Sequence, residues 1–144
     1  MKSSTVKLRV RYPETDKMGV VHHTNYFVYF EIGRLEYLRD LGLPYTELEK
    51  EGFQLTVHEA RCTYKASARF DDVLVVETWL SRLTYAQMEL SYKISREEPN
   101  DGSLTLLADG ATKLVCIDEG LRPKRIPDKI RDILPPTTSD TSNT

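Results

Sequence analysis

The feature of this chain that most constrains its fold is one long helical pattern, rich in aromatic residues, over residues 24–41. Thr24 or Asn25 is expected to cap its start, and Gly42 followed by Pro44 ends it. Its apolar side chains cover more than one narrow stripe, so we expect the helix to be buried over much of its surface. These side chains are Tyr26, Phe27, Tyr29, Phe30, Leu35, Leu38 and Leu41.

Five strand patterns accompany this helix. One lies before it and four follow it: residues 5–12, 53–64, 73–80, 86–95 and 104–117. The apolar phase shifts near residues 58–60, which predicts a β-bulge, and residues 97–103 predict a hairpin turn. A single buried helix without a second helical layer must be covered by the sheet. The pattern therefore predicts an α+β fold, with an antiparallel sheet of about five strands wrapped around one long central helix.

The 144 residues indicate one domain, over residues 1–134, followed by a disordered tail over residues 135–144. Short helical turns are expected at residues 44–50 and 128–134. No window approaches 18 consecutive apolar residues, which predicts no transmembrane helix and no membrane partner. The first six residues lack the apolar core of a signal peptide, so we expect a cytoplasmic protein.

Charge and cysteine content exclude some functions. A formal net charge of -2 gives no electrostatic reason to expect nucleic-acid binding. Cys62 and Cys116 lie in strand-like runs without a CxxC spacing, so they are expected to be buried free thiols in a reducing compartment. His22 and His23 suggest a metal site only weakly, because adjacent loop residues rarely point at one ion. We expect neither a metal nor a cofactor.

Asp16 is the principal candidate for chemistry. It lies in a glycine-containing loop, seven residues before His23, where the long helix should begin. An aspartate in a Thr-Asp-Lys turn is most often solvated or bonded to nearby backbone. A carboxylate facing a helix N-terminus is also a plausible way to attack a carbonyl and stabilise the resulting oxyanion.

The segment around Asp16 resembles the signature of the 4-hydroxybenzoyl-CoA thioesterase family of hotdog-fold enzymes, including its YbgC-like branch. That signature is Asp-x-x-Gly-(Ile/Val)-Val-(Tyr/His)-(Phe/His)-x-x-Tyr, and residues 64–72 resemble a second recurring stretch of the family. The match to the signature comprises Asp16, Gly19, Val20, Val21, His22, His23 and Tyr26. The resemblance implies a hotdog fold and an acyl-CoA thioesterase that releases a free acid and CoA.

The resemblance also implies roles for particular residues. Asp16 would be the catalytic carboxylate, either as nucleophile or as general base for water. The backbone N–H of His23, near the helix start, would stabilise the oxyanion, and its side chain would orient Asp16, water or the thioester. The expected substrate-binding residues are Gly19, Val21, His22, Asn25, Tyr26, Lys65, Arg69 and Arg82, the basic ones toward the CoA phosphates.

Several alternatives stay open. A hotdog hydratase would want an Asp/His pair on a different motif, which this chain lacks. A non-catalytic hotdog protein that binds or senses acyl-CoA would gain nothing from a carboxylate beside the thioester. The resemblance implies a homodimer joined edge to edge through its sheets, or a homotetramer. The acyl group, and the choice between CoA and acyl carrier protein, are not readable from the sequence.

Overall fold

The computed structural model describes residues 2–137 and confirms the α+β class. Met1 and residues 138–144 lie outside the described residues, so the predicted disorder of the tail stays a prediction. A short 3-10 turn, Tyr12–Glu14, follows the first strand. The elements are β1 (Ser3–Arg9), α1 (Asn25–Asp40), α2 (Tyr45–Lys50), β2 (Gln54–Tyr64), β3 (Val73–Leu83), β4 (Gln87–Glu97), β5 (Leu104–Ile117) and α3 (Asp128–Arg131).

The five strands form one antiparallel sheet in the order β1-β3-β4-β5-β2, so β1 and β2 are its edges. The predicted bulge is confirmed, since the pairing of β2 with β5 shifts register between Val57 and Glu59. Alternate side chains of β3 and β4 point into the core and are almost fully buried. They are Leu74, Val76, Thr78, Leu80, Met88, Leu90, Tyr92 and Ile94.

Helix α1 packs across the inner face of this sheet. The Phe30 ring stacks on Tyr92 of β4, with centroids 4.3 Å apart. Gly33 lets the helix approach β3, because a Cβ at this position would lie 2.6 Å from Thr78 Oγ1. The helix is not buried all round: Val28 and Ile32 are 46% and 36% exposed on the side away from the core. The central helix therefore has one buried face and one open apolar face.

The ends of the helices show where local rules held and where they failed. Gly42, with a φ of +81°, ends α1 as predicted. The predicted side-chain cap at its start is wrong: Thr24 makes no capping bond, and the Asn25 amide donates to the carbonyl of Glu14 instead. The last helix is also shorter than predicted and ends at Arg131.

Between residues 2 and 137, no helix combines the length and apolar character that crossing a membrane requires.

Candidate active site

A cleft of about 360 Å³ lies between the loop that enters α1 (residues 15–24, the entry loop), the first turn of α1 and the chain that leaves β2. We call it the Asp16 cleft. It is lined by Asp16, Val20, Val21, His23, Tyr26, Tyr64, Lys65, Ala66 and Ser67. The two segments that carry the sequence resemblance therefore form its two walls.

Asp16 is held by the turn that it begins. Its Oδ1 accepts hydrogen bonds from the N–H groups of Met18 (2.8 Å) and Val20 (3.4 Å). Gly19 completes the turn with a φ of +81°, a conformation that side chains other than glycine rarely adopt. Among residues 2–137, no group donates to Asp16 Oδ2. One carboxylate oxygen is thus fixed and the other is available to a substrate or water.

The entry loop is tied to the opposite wall of the cleft by backbone hydrogen bonds. Val21 N–H donates to Ala68 O (2.9 Å), and Val20 forms a bridge with Arg69. The Tyr26 hydroxyl accepts from Ala68 N–H (3.1 Å). These contacts hold the loop that carries Asp16 at a fixed separation from the segment after β2.

His23 presents a backbone donor at the start of α1. The N–H of His22 donates to Glu14 O and the N–H of Asn25 donates to His22 O, both at 2.9 Å. Within the described part of the chain, the N–H of His23 between them has no acceptor. Helix α1 is 16 residues long, and the partial positive charge of its N-terminus favours negative charge at this point. An uncommitted N–H there suits a developing oxyanion.

The two imidazole rings are exposed and stack on each other, with centroids 4.3 Å apart. His22 Nδ1 lies 2.8 Å from Thr24 Oγ1, and His22 does not line the cleft. No hydrogen bond joins His23 to Asp16 in residues 2–137, so direct orientation of Asp16 by this side chain has no contact to support it. In the same residues, no three His, Cys, Asp or Glu side chains are grouped to hold a metal ion.

Tyr64 is a cleft residue that the sequence interpretation did not single out. Its hydroxyl donates to His23 O (2.9 Å), and its ring packs edge-on against Tyr26, with centroids 5.0 Å apart. Burial, followed by the neighbouring Cys62 thiol, raises the pKa of Tyr64 to about 12. The Tyr64 hydroxyl is therefore protonated at neutral pH and can donate to the carbonyl oxygen of His23.

The basic residues proposed for CoA are not all brought together. Lys65 lines the cleft, and its Nζ lies 3.8 Å from Asp109 Oδ2. Arg69 is exposed just outside the lining. Arg82 lies near the far end of β3, where it pairs with Glu89 of β4. At a rise of 3.3 Å per residue, this position is about 30 Å from the end of β3 that adjoins the cleft. The structure does not bring Arg82 or Asn25 into the lining of the Asp16 cleft.

Glu14 is the second residue that the sequence interpretation missed. It is 9% exposed, although it lies in a turn, and its carboxylate accepts hydrogen bonds from Arg11 and from the Tyr29 hydroxyl. Burial alone would raise the pKa of Glu14, but the bonds from the Arg11 backbone, Tyr29 and the Arg11 guanidinium together lower it below 4.5. An ionised carboxylate therefore lies beneath the entry loop.

Comparison with known proteins finds relatives that match most of the chain. The model of the Thioesterase-like superfamily matches residues 10–134. Acyl-CoA thioesterase YbgC of Haemophilus influenzae is 32% identical over 126 residues, which are 86% of this chain and 88% of that protein. The chain thus aligns with this relative over nearly the whole length of both.

Solved structures share the fold. The DHNA-CoA thioesterase of Staphylococcus aureus superposes with a TM-score of 0.83 and 34% identity, over 92% of this chain and 86% of that one. A 4-hydroxybenzoyl CoA thioesterase variant, with asparagine in place of an aspartate and bound to 4-hydroxybenzoyl CoA, gives a TM-score of 0.84 over 94% of this chain and all of that one. Its identity is 20%, so it supports the fold alone. The hotdog architecture is confirmed, and the chain belongs to the Thioesterase-like superfamily.

Proposed function

We propose that this protein hydrolyses acyl-CoA thioesters to a free acid and CoA, with Asp16 as its catalytic carboxylate. The observation that carries the proposal is the shared lining of one cleft by Asp16, with one oxygen uncommitted, and by His23, whose N–H has no acceptor among residues 2–137. A nucleophile or base and an oxyanion donor are the two groups that thioester hydrolysis needs. The acyl-CoA thioesterase name of the YbgC relative supports the same reaction.

Two routes use the same residues. In the first, Asp16 Oδ2 attacks the thioester carbonyl, CoA leaves as its thiolate, and water then hydrolyses the acyl–aspartyl anhydride. In the second, water attacks the carbonyl while Asp16 accepts its proton, which passes to the departing thiolate. Both routes place negative charge on the carbonyl oxygen, where the His23 N–H would stabilise it by about 3–4 kcal/mol.

Lys65 is the best-placed residue for the CoA phosphates. Its ion pair with Asp109 joins side chains that are 46% and 41% exposed, so the pair contributes little and can be exchanged for a phosphate. Arg69, beside the cleft, is the second candidate. Lys65 follows β2 directly and lies on the cleft wall opposite the entry loop, and Arg69 lies just outside that wall.

The test is release of CoA from a panel of short-chain, long-chain and aromatic acyl-CoAs. Asp16→Asn keeps an oxygen acceptor for the turn and removes the charge, so we expect its kcat to fall at least ~100-fold. Asp118→Asn is a matched control, because Asp118 Oδ1 accepts from Gly120 N–H (2.8 Å) and Arg122 N–H (3.0 Å) with the same spacing along the chain. It lies beyond β5, outside the cleft lining, and its variant should retain wild-type activity.

Each outcome of that panel has a meaning. Equal rates for wild type and Asp16→Asn would remove Asp16 as the catalyst and leave a thioesterase. Binding of acyl-CoA without any hydrolysis by wild type would favour the non-catalytic acyl-CoA sensor. Parallel assays with acyl carrier protein thioesters would identify the preferred carrier.

We also propose that the protein is a homo-oligomer joined through β2. This edge strand has 11 residues, most of them exposed, and Val57 on it is 51% exposed near the open apolar face of α1. A long exposed edge strand calls for a partner strand, and a second copy of β2 would supply one. A homotetramer would then join two such dimers.

Light scattering tests this assembly. Wild type should have a mass near two or four times 16.6 kDa. Val57→Lys should shift it toward the monomer, whereas Thr5→Lys, on the other edge strand β1, should leave it unchanged. A wild-type mass of 16.6 kDa would reject the oligomer.

A further inference from the structure

Glu14 is a buried charged residue at the start of the proposed catalytic segment, two residues before Asp16. Its Oε1 accepts from the N–H of Arg11 (2.9 Å) and from the hydroxyl of Tyr29 (2.8 Å). Its Oε2 accepts from Arg11 Nε (2.9 Å). Tyr29 lies on the inner face of α1 and is 1% exposed, so the carboxylate is bonded to the central helix itself.

The backbone of Glu14 extends the same connection. Its carbonyl accepts from His22 N–H and from the Asn25 side-chain amide, both at 2.9 Å. His22 directly precedes the proposed oxyanion donor, and Asn25 is the first residue of α1. One residue is thus bonded to the helix interior, to the helix start and to the end of the entry loop.

Stability of the core alone does not account for a carboxylate here. Removing a carboxylate from water is costly unless it is fully paired, and an apolar side chain of similar size often serves a core as well. What an apolar side chain cannot do is fix the turn by three hydrogen bonds to two other residues. Displacement of a reacting group by about 1 Å can lower a rate by about 100-fold.

We infer that Glu14 is a positioning residue for thioester hydrolysis, because its bonds to Tyr29 and to the helix start set Asp16 and the His23 N–H in register with each other on the entry-loop wall of the cleft. This inference rests on the proposed function. Glu14 does not line the cleft, so it acts through the residues that it holds and not on the substrate.

The test compares kcat and KM for Tyr29→Phe, Glu14→Gln and Glu14→Ala on the best substrate of the acyl-CoA panel. Tyr29→Phe removes one hydrogen bond from Glu14 and keeps the aromatic ring. It should lower kcat about 10-fold with KM within about twofold, since alignment is lost and substrate contacts are kept. Glu14→Ala should lower kcat about 100-fold, and Glu14→Gln, which retains an oxygen acceptor for Tyr29, should recover part of that loss.

Tyr37→Phe is the matched control. Tyr37 lies on the same helix, is also 1% exposed, and its hydroxyl makes no hydrogen bond to the entry loop within residues 2–137. Its kcat should stay within about twofold of wild type. Thermal unfolding would show that each variant is folded, so that only alignment differs.

Wild-type kcat in Tyr29→Phe and Glu14→Ala would overturn the inference. So would losses that match the folded fraction, or an equal loss in Tyr37→Phe. Hydrolysis by wild type with unchanged variants would reject the role of Glu14 alone. A wild type that releases no CoA would reject the proposed function and this inference together.

Discussion

The close crossing of α1 over β3 makes Gly33 a sensitive position. A Cβ at residue 33 would lie 2.6 Å from Thr78 Oγ1 and 2.7 Å from Val76 Cγ1. Both neighbours are 0% exposed, and both belong to a strand that is paired on either side. They have little room to move away. We therefore predict that Gly33→Ala destabilises the protein.

The magnitude follows from two opposing effects. Alanine is favoured over glycine inside a helix by about 1 kcal/mol. Overpacking a buried site costs about 1–3 kcal/mol, and two contacts below 3.0 Å place this site near the upper limit. The net loss in the free energy of unfolding should be about 2 kcal/mol. For a chain of this length that loss lowers Tm by about 6 °C.

Urea unfolding at fixed protein concentration measures the loss, with the fluorescence of Trp79, the one tryptophan of the chain, as the probe. Thr78→Ala removes one of the two clashes, so in the Gly33→Ala background it should raise the free energy of unfolding by about 1 kcal/mol. In wild type, where there is no clash to remove, the same substitution should give no such gain. Gly120→Ala is the control, since its Cβ would meet only Asp118 Oδ1 at 3.4 Å. A Gly33→Ala variant as stable as wild type would refute the close crossing.

Three other predictions concern the sheet, the thiols and the buried carboxylate. Gly110→Ala should cost more than Gly33→Ala, at least about 3 kcal/mol by urea unfolding, because its Cβ would lie 2.2 Å from the backbone oxygen of Arg61; a milder loss would contradict this pairing. Burial raises the pKa of Cys62 and Cys116, so at pH 8 Ellman's reagent should modify Cys62 slowly and Cys116 only after unfolding; prompt labelling of both would disprove it. The folded-state pKa of Glu14 is lowered, so its contribution to stability is present above pH 4.5 and lost as pH falls through the lower folded value. The stability difference between wild type and Glu14→Gln should accordingly narrow below pH 4.5, and a constant difference would exclude this linkage.

Features set by local sequence were predictable. Gly42 ends α1 with a φ of +81°, a backbone conformation that favours glycine whatever the surrounding fold. The bulge after Val57 was visible as a shift in the apolar phase, because alternation reports directly which face of a sheet each side chain occupies. The single buried helix required a sheet around it, and that requirement was enough to indicate the fold class.

Features that depend on distant partners were not predictable. Asparagine often caps helices, but the side-chain amide of Asn25 donates instead to the carbonyl of Glu14, 11 residues earlier. Glu14 looks like a surface residue until the fold places it under Tyr29, 15 residues later. The sequence predicted Arg82 as a phosphate ligand, but β3 runs away from the cleft and Arg82 lies near its far end. Each outcome depends on which segments meet in space.

In Asp16, an ordinary structural role and the proposed catalytic role would belong to the same side chain. Its Oδ1 accepts the N–H groups of Met18 and Val20, which is the backbone-bonding role expected of an aspartate in a turn. That role fixes the carboxylate of a cleft-lining residue and leaves Oδ2 without a donor among residues 2–137. Asparagine can fill the first role but not the second. The free energy of unfolding of Asp16→Asn should therefore be within about 0.5 kcal/mol of wild type, while its activity is lost. Asp16→Ala loses both roles and should also be destabilised, by about 1 kcal/mol. Comparison of urea unfolding and CoA release in the two variants separates the roles, and equal stability of the alanine variant would show that the turn does not depend on Asp16.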